Sequence, residues 1–291
     1  MGQKDITEKM LADYNDVFAD IVNVLLFDGM QIIGEELLEN VKDKSQYKAA
    51  SQIHEQERDV SKVFNKHNIR IAMLGLEHQT DIDADEVFRV LGYDGASYRS
   101  QLLNGQKERY PVVTLVLYFG SKRWNKATSL FEVLEITEEW KPFINDYKIN
   151  LFEISFLESK QVEKFKSDFK IVADYFVQIR TNNEYVPSKE TFQHMDEVLK
   201  LFSVLTNDSR FEDVQRSLLP EGGANNMCEV LDRAEAKGEA RGKIKGMVIA
   251  FHKAQFSIEQ IASEVGISVE EVQNILASQE TGRLFQVLCK R

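Results

Sequence analysis

Two carboxylates and an amide, Asp59, Glu77 and Gln79, flank a short polar stretch, Asn65-Lys66-His67-Asn68. The runs on either side, Val60–Phe64 and Ile69–Leu76, are rich in β-formers, so the polar stretch predicts the turn of a hairpin. A turn centred on about residue 68 places Asp59 directly opposite Glu77, and directly opposed residues of an antiparallel pair share a face. Gln79, two residues beyond Glu77, shares that face too. A buried pair of acids needs a cation, a partner or a proton to offset desolvation. Carboxylate oxygens suit Mg²⁺, which can activate a water and neutralise charge on a phosphate, and a nearby amide can orient that water. This is the chemistry of phosphodiester hydrolysis. Asp16 or Asp20 from the first helix can complete a metal shell.

The same residues fit a structural arrangement. Asp59 can cap a strand end, Glu77 can pair with Arg58 or Arg70, and Gln79 can make a structural hydrogen bond. Asp13, Asp16 and Asp20 also fit a solvated helix face.

The elements that must position these residues are legible in outline. Met10, Tyr14, Val17, Phe18, Ile21 and Leu25 follow helical spacing and predict a helix from about Thr7 to Leu38, bent or broken at Gly29 and Gly34. Residues 40–57 are polar, with a short strand near Tyr47–Ile53. After the hairpin, Asp81-Ile82-Asp83-Ala84-Asp85 opens a helix to about Leu103, interrupted near Gly92–Gly95; its acids suit a helix N-terminus. Val112–Phe119 is a near-continuous apolar run, the pattern of a strand buried on both faces and often parallel. A second buried strand is expected at Ile149–Ser155. Residues 160–180 read as one amphipathic helix, and another follows Pro187 at about 188–206.

The Pro220–Asn226 cluster, with two glycines, predicts a domain boundary. The chain thus divides into residues 1–185, a helical extension and linker at 186–226, and a helical spacer and tail at 227–291. Gly238, Gly242 and Gly246 recur every four residues in the spacer. Around Gly266 the tail reads as two short helices with Ser257 and Ser268 as N-caps, a helix-turn-helix-like pair. Residues 229–291 carry nine Lys/Arg and nine Asp/Glu; DNA-reading helices are usually more basic.

Composition sets further bounds. The 291 residues carry a net charge of −11, which weighs against a broadly basic nucleic-acid surface, although a local basic patch can still grip phosphate. The two cysteines, Cys228 and Cys289, form no CxxC pair and read as free thiols. No apolar run reaches the ~18 residues of a membrane span. The first residues lack the apolar run of a signal peptide, so a cytoplasmic location and no membrane partner are expected.

Asp59, then Glu77-His78-Gln79, followed by Arg89, Tyr93, Tyr98 and Gln101, resembles the recombination-promoting nuclease (Rpn)/putative transposase family of the PD-(D/E)XK nuclease superfamily. Pro111–Gly120, with Trp124 after it, resembles the next strand and loop of that family. The resemblance spans about residues 5–180 in element order. It implies an α/β fold with an αβββαβ core and mixed sheet, and a Mg²⁺- (or Mn²⁺-) dependent DNA endonuclease. Asp59 and Glu77 match the metal-binding acids. Gln79 stands where many superfamily members have Lys. Asp16, then Asp20, are candidates for the acid of the first helix. Arg89 on its helix, and Lys122 and Arg123 beside Trp124, are candidate DNA contacts. DNA is the expected partner, with a homo-oligomer plausible for cutting two strands. The alternative is a catalytically degenerate DNA-binding or assembly protein of the same fold.

Overall fold

Short apolar runs separated by polar turns build a mixed five-stranded sheet. The structure is a computed structural model that describes residues 11–41, 44–49, 52–57, 60–64, 69–76, 84–103, 109–206, 211 and 226–277. The chain divides into two compact units, Met1–Met227 and Cys228–Arg291.

In the first unit, helix α1 (Asn15–Phe27) precedes strand β1 (Leu38–Asn40). A polar hairpin follows, β2 (Lys44–Ala49) and β3 (Gln52–Glu57), where the sequence suggested one short strand. Then come β4 (Val60–Phe64), β5 (Ile69–Leu76), helix α2 (Glu86–Leu103), β6 (Val112–Tyr118) and β7 (Asn150–Glu153). The sheet order is β1-β4-β5-β6-β7. The first three strands are antiparallel neighbours, while β6 and β7 each join in parallel. Helix α2 supplies the crossover that a parallel β5–β6 connection requires.

Each face of the sheet carries helices. Val116 packs with Val87 and Val90 of α2 in one buried cluster. Asp94 of α2 accepts from Thr114 Oγ1 at 2.6 Å and from the Tyr147 hydroxyl at 2.6 Å. This staple, with buried Val90 and Ser97, keeps α2 continuous through Gly92 and Gly95, so the expected interruption does not occur. Phe119, just past β6, packs against Phe169 and Phe176 of helix α5 (Phe169–Asn182). Val17, Phe18 and Ile21 of α1 are wholly buried.

Several boundaries differ from expectation, each for a local reason. Helix α1 ends at Phe27, because Asp28 and Gly29 take left-handed conformations at φ 53° and 88° and the Gly29 N–H closes onto Asn23 O. The helix expected at 160–180 is two, α4 (Ser159–Val162) and α5. Between them, the N–H groups of Lys166 and Ser167 donate to Asp20 instead of continuing a helical ladder. Helix α6 (Met195–Thr206) begins later than Pro187 suggested; Asp168 accepts the N–H groups of Gln193 and His194 at its entry. A one-turn helix, α3 (Leu130–Val133), lies between β6 and β7.

The hairpin register also differs. The β4–β5 ladder pairs Val60 with Met73 and Phe64 with Ile69, so its midpoint falls between residues 66 and 67, not at 68. Four residues separate Phe64 from Ile69, and an even loop pairs even with odd positions. Lys62 is therefore opposite Ile71. The direct opposition expected of Asp59 and Glu77 rested on the other parity and does not follow from this ladder.

In the second unit, α7 (Met227–Lys253) leads to α8 (Ile258–Val265) and helical residues 269–277. Val248, Ile261, Ala262 and Val272 form their shared core. Ser257 and Ser268 cap as expected, each side chain accepting the N–H three residues on. Gly266 ends α8 at φ 74°.

Candidate functional site

Strand β4 begins one residue after Asp59, and β5 ends one residue before Glu77. Asp59, Glu77 and Gln79 themselves lie outside the described residues.

Lys62 is the residue that sequence reasoning missed. It lies wholly buried in β4. Its Nζ donates to Asp13 O at 2.6 Å, to Asn15 Oδ1 at 2.8 Å and to Asn40 Oδ1, and stands 5.5 Å from the Phe18 ring centroid. All three ammonium donors are used. Burial, the largest influence, lowers its pKa, opposed by the nearby Asp13. The signal was present: in Val60-Ser61-Lys62-Val63-Phe64, period two puts Lys62 on the face of Val60 and Phe64. On the other face, buried Arg70 donates through Nε to Ser61 Oγ at 2.9 Å.

The two helix acids have different surroundings. Asp16 Oδ2 contacts His194 Nε2 at 2.9 Å, and the His194 ring stacks on Tyr14 with centroids 3.7 Å apart. Asp20 is buried, and its Oδ2 accepts from Lys166 N, Ser167 N and Ser167 Oγ at 2.7–2.8 Å. Asp20 Oδ1 is buried without a hydrogen bond among the described residues. A cavity of about 400 Å³ adjoins both acids, lined also by Asn23, Glu35, Glu36, Lys166 and Gln193. Among the described residues, no three His, Cys, Asp or Glu side chains gather in a group that could hold a metal ion.

The candidate DNA contacts separate. Arg89 pairs with buried Glu86 at 2.8 Å, and Tyr93 packs into the α2 core cluster. Lys122 is exposed in the loop after β6. Arg123 pairs with Glu153 at 2.6 Å, and the same carboxylate accepts the Trp124 N–H at 2.7 Å. Leu76, Tyr118 and Glu153 end their strands in register, so this loop lies at the edge of the sheet where β5 ends. Tyr118 fills the space beside Gly120 where a side chain would stand. Burial first, then the Glu153 charge, raises the Tyr118 pKa.

A mixed five-stranded sheet with helices on its faces makes this an α/β protein, an architecture consistent with a nuclease-like fold. A family model described as "Putative transposase, YhgA-like" matches residues 35–209. The chain belongs to this family, the Rpn/YhgA group of the PD-(D/E)XK nuclease superfamily. No curated protein and no solved structure gives a significant match. No helix among the described residues is long and apolar enough to cross a membrane.

Proposed function

We propose that the protein is a Mg²⁺- (or Mn²⁺-) dependent DNA endonuclease in which Asp59 and Glu77 hold the metal and Gln79 orients the attacking water. The observation that carries this reading is strand order within a family member. A helix, three antiparallel neighbours β1, β4 and β5, a crossover helix and parallel β6 support this reading, since they give the order expected of an αβββαβ core once the separate β2–β3 hairpin between β1 and β4 is taken as an insertion.

The donor set fits the ion: two carboxylates offer the hard oxygens that Mg²⁺ prefers. When bound, the metal supplies charge neutralisation at the phosphate and a more acidic water. Gln79 can accept one hydrogen bond from that water and donate another to phosphate, but cannot bring the positive charge of Lys. Asp16 is the better third acid, because Asp20 spends one oxygen on three donors and buries the other. Lys122 and Arg123 meet the DNA backbone. Double-strand cutting calls for a second copy of the chain. Residues 257–277 act as a helix-turn-helix-like pair.

Plasmid DNA incubated with Mg²⁺ tests this directly. The protein is expected to nick or linearise it, and Asp59→Ala or Glu77→Ala to abolish cleavage; cleavage persisting in both variants would overturn the assignment. Gln79 and the net charge of −11 favour a second reading, a catalytically degenerate DNA-binding or assembly protein. Titration calorimetry separates the two: millimolar Mg²⁺ or Mn²⁺ that fails to bind, with salt-dependent DNA binding retained, selects the second.

A further inference from the structure

We infer that Arg123 and Arg180, both stacked on Phe156, form a phosphate grip for a nucleic-acid strand at the edge of the sheet where β5 ends. The inference rests on the nuclease reading for its ligand and adds Arg180 and Phe156 to the expected contacts.

The Arg123 guanidinium lies 4.1 Å from the Phe156 ring centroid and that of Arg180 lies 4.5 Å from it. Stacking fixes the guanidinium planes while leaving their N–H edges available, the arrangement that favours bidentate phosphate contacts. Most of those donors are unspent among the described residues. Arg123 gives one Nη to Glu153, and its side chain remains 65% exposed. Arg180 gives Nε to Ser155 O at 2.5 Å. Of the two positive charges, only Arg123 has an acidic partner within ion-pair distance among the described residues. Glu153 occupies Arg123 in the free protein, so a phosphate must compete with that carboxylate.

Position supports the ligand. Phe156 follows β7 by three residues, and β7 is two strands from β5, about 10 Å across the sheet. Lys122 and Lys126 are exposed in the same loop as Arg123 and add positive charge. A strand running from the grip toward the end of β5 crosses only that short distance.

The test is binding of a labelled DNA duplex by the full chain over a range of NaCl in EDTA, where no metal-dependent cleavage occurs. Each lost phosphate contact is expected to lower the slope of log K against log salt by about 0.9. Arg123→Gln, at an exposed side chain, should lose one such step, and Arg123→Gln/Arg180→Gln should lose about twice that. Arg123→Lys/Arg180→Lys should recover most of the slope, and Glu153→Gln should tighten binding by releasing Arg123. The proposal falls if Arg123→Gln keeps the wild-type slope, if Glu153→Gln binds no tighter, or if the wild type shows no salt-dependent binding. Grip-dependent binding without Mg²⁺-dependent cleavage would sink the nuclease reading alone. Cleavage with an unchanged slope would sink the grip alone.

Discussion

Lys62 Nζ donates to Asn15 Oδ1 at 2.8 Å, tying the buried middle of β4 to the first residue of α1. The same ammonium reaches Asp13 O and Asn40 Oδ1, so one side chain joins the helix start to two neighbouring strands. Lys62→Met keeps the stem and removes the donors. It is expected to cost about 1–3 kcal/mol in urea unfolding, since three acceptors lose their partner. Wild-type stability in this variant would refute the clamp.

Two buried charges set opposite pH trends. The Lys62 pKa is lowered below 10.5, chiefly by burial. The unfolded chain then holds that proton more tightly, so the penalty acts at neutral pH and fades as pH rises toward 10.5. The Asp168 pKa is raised above 3.8, chiefly by burial against the opposing bonds from His194 and Gln193. Its contribution is fully present below 3.8 and is lost as pH rises through the folded value. Asp168→Asn should therefore flatten the stability profile just above pH 3.8, and Lys62→Met should flatten it just below 10.5. Unfolding measured across pH checks both; unchanged slopes would contradict the assignments.

The strands were legible where apolar runs were dense. Val112–Tyr118 is flanked by parallel partners on both sides, as its near-continuous hydrophobicity implied. The polar hairpin β2–β3 was only half visible, because its residues carry no strong alternation of apolar and polar types. Breaks caused by distant side chains were not legible at all. Asp20 interrupts the 160–180 helix from 147 positions away, and no local pattern encodes that. The hairpin parity turned on loop length, which a polar stretch of uncertain ends does not fix. Asp59, Glu77 and Gln79 rest on family pattern, and the strands leading to them supply their setting.

Asp20 separates a structural acid from a metal ligand. Asp20→Ala removes three hydrogen bonds from Lys166 and Ser167 and is expected to cost about 1–3 kcal/mol. Asp20→Asn keeps one acceptor oxygen and should cost less. Folded Asp20→Asn protein should retain Mg²⁺-dependent plasmid cleavage, whereas Asp16→Asn should lose much of it. The reverse pattern would move the third acid to Asp20.

The second unit offers a local stability test. Ser268 accepts the Glu271 N–H at 3.1 Å while Glu271 accepts the Ser268 N–H at 2.9 Å, a reciprocal cap. The Glu271 carboxylate is held below the usual range first by the Ser268 N–H and then by the Ser268 hydroxyl, which donates to it at 3.0 Å. Ser268→Ala is expected to cost about 1 kcal/mol of unfolding stability in this unit. Gly266→Ala should also destabilise, because φ 74° disfavours any Cβ. Hydrogen exchange across residues 258–277 reads both; unchanged protection would show that the caps contribute nothing.

Gln79 separates water positioning from metal binding. An amide that positions water by hydrogen bonding contributes orientation without charge, so its loss should affect rate more than metal binding. Gln79→Leu is expected to slow plasmid cleavage by about 100-fold or more while Mg²⁺ affinity by calorimetry stays at the wild-type value. Gln79→Lys restores the residue type common in the superfamily and should cleave at least as fast as wild type, with a steeper salt dependence from its added charge. If Gln79→Leu cleaves normally, the amide is structural and Asp59 and Glu77 must position the water unaided. If it loses Mg²⁺ instead, Gln79 belongs to the metal shell, and the division of roles proposed for the hairpin is wrong.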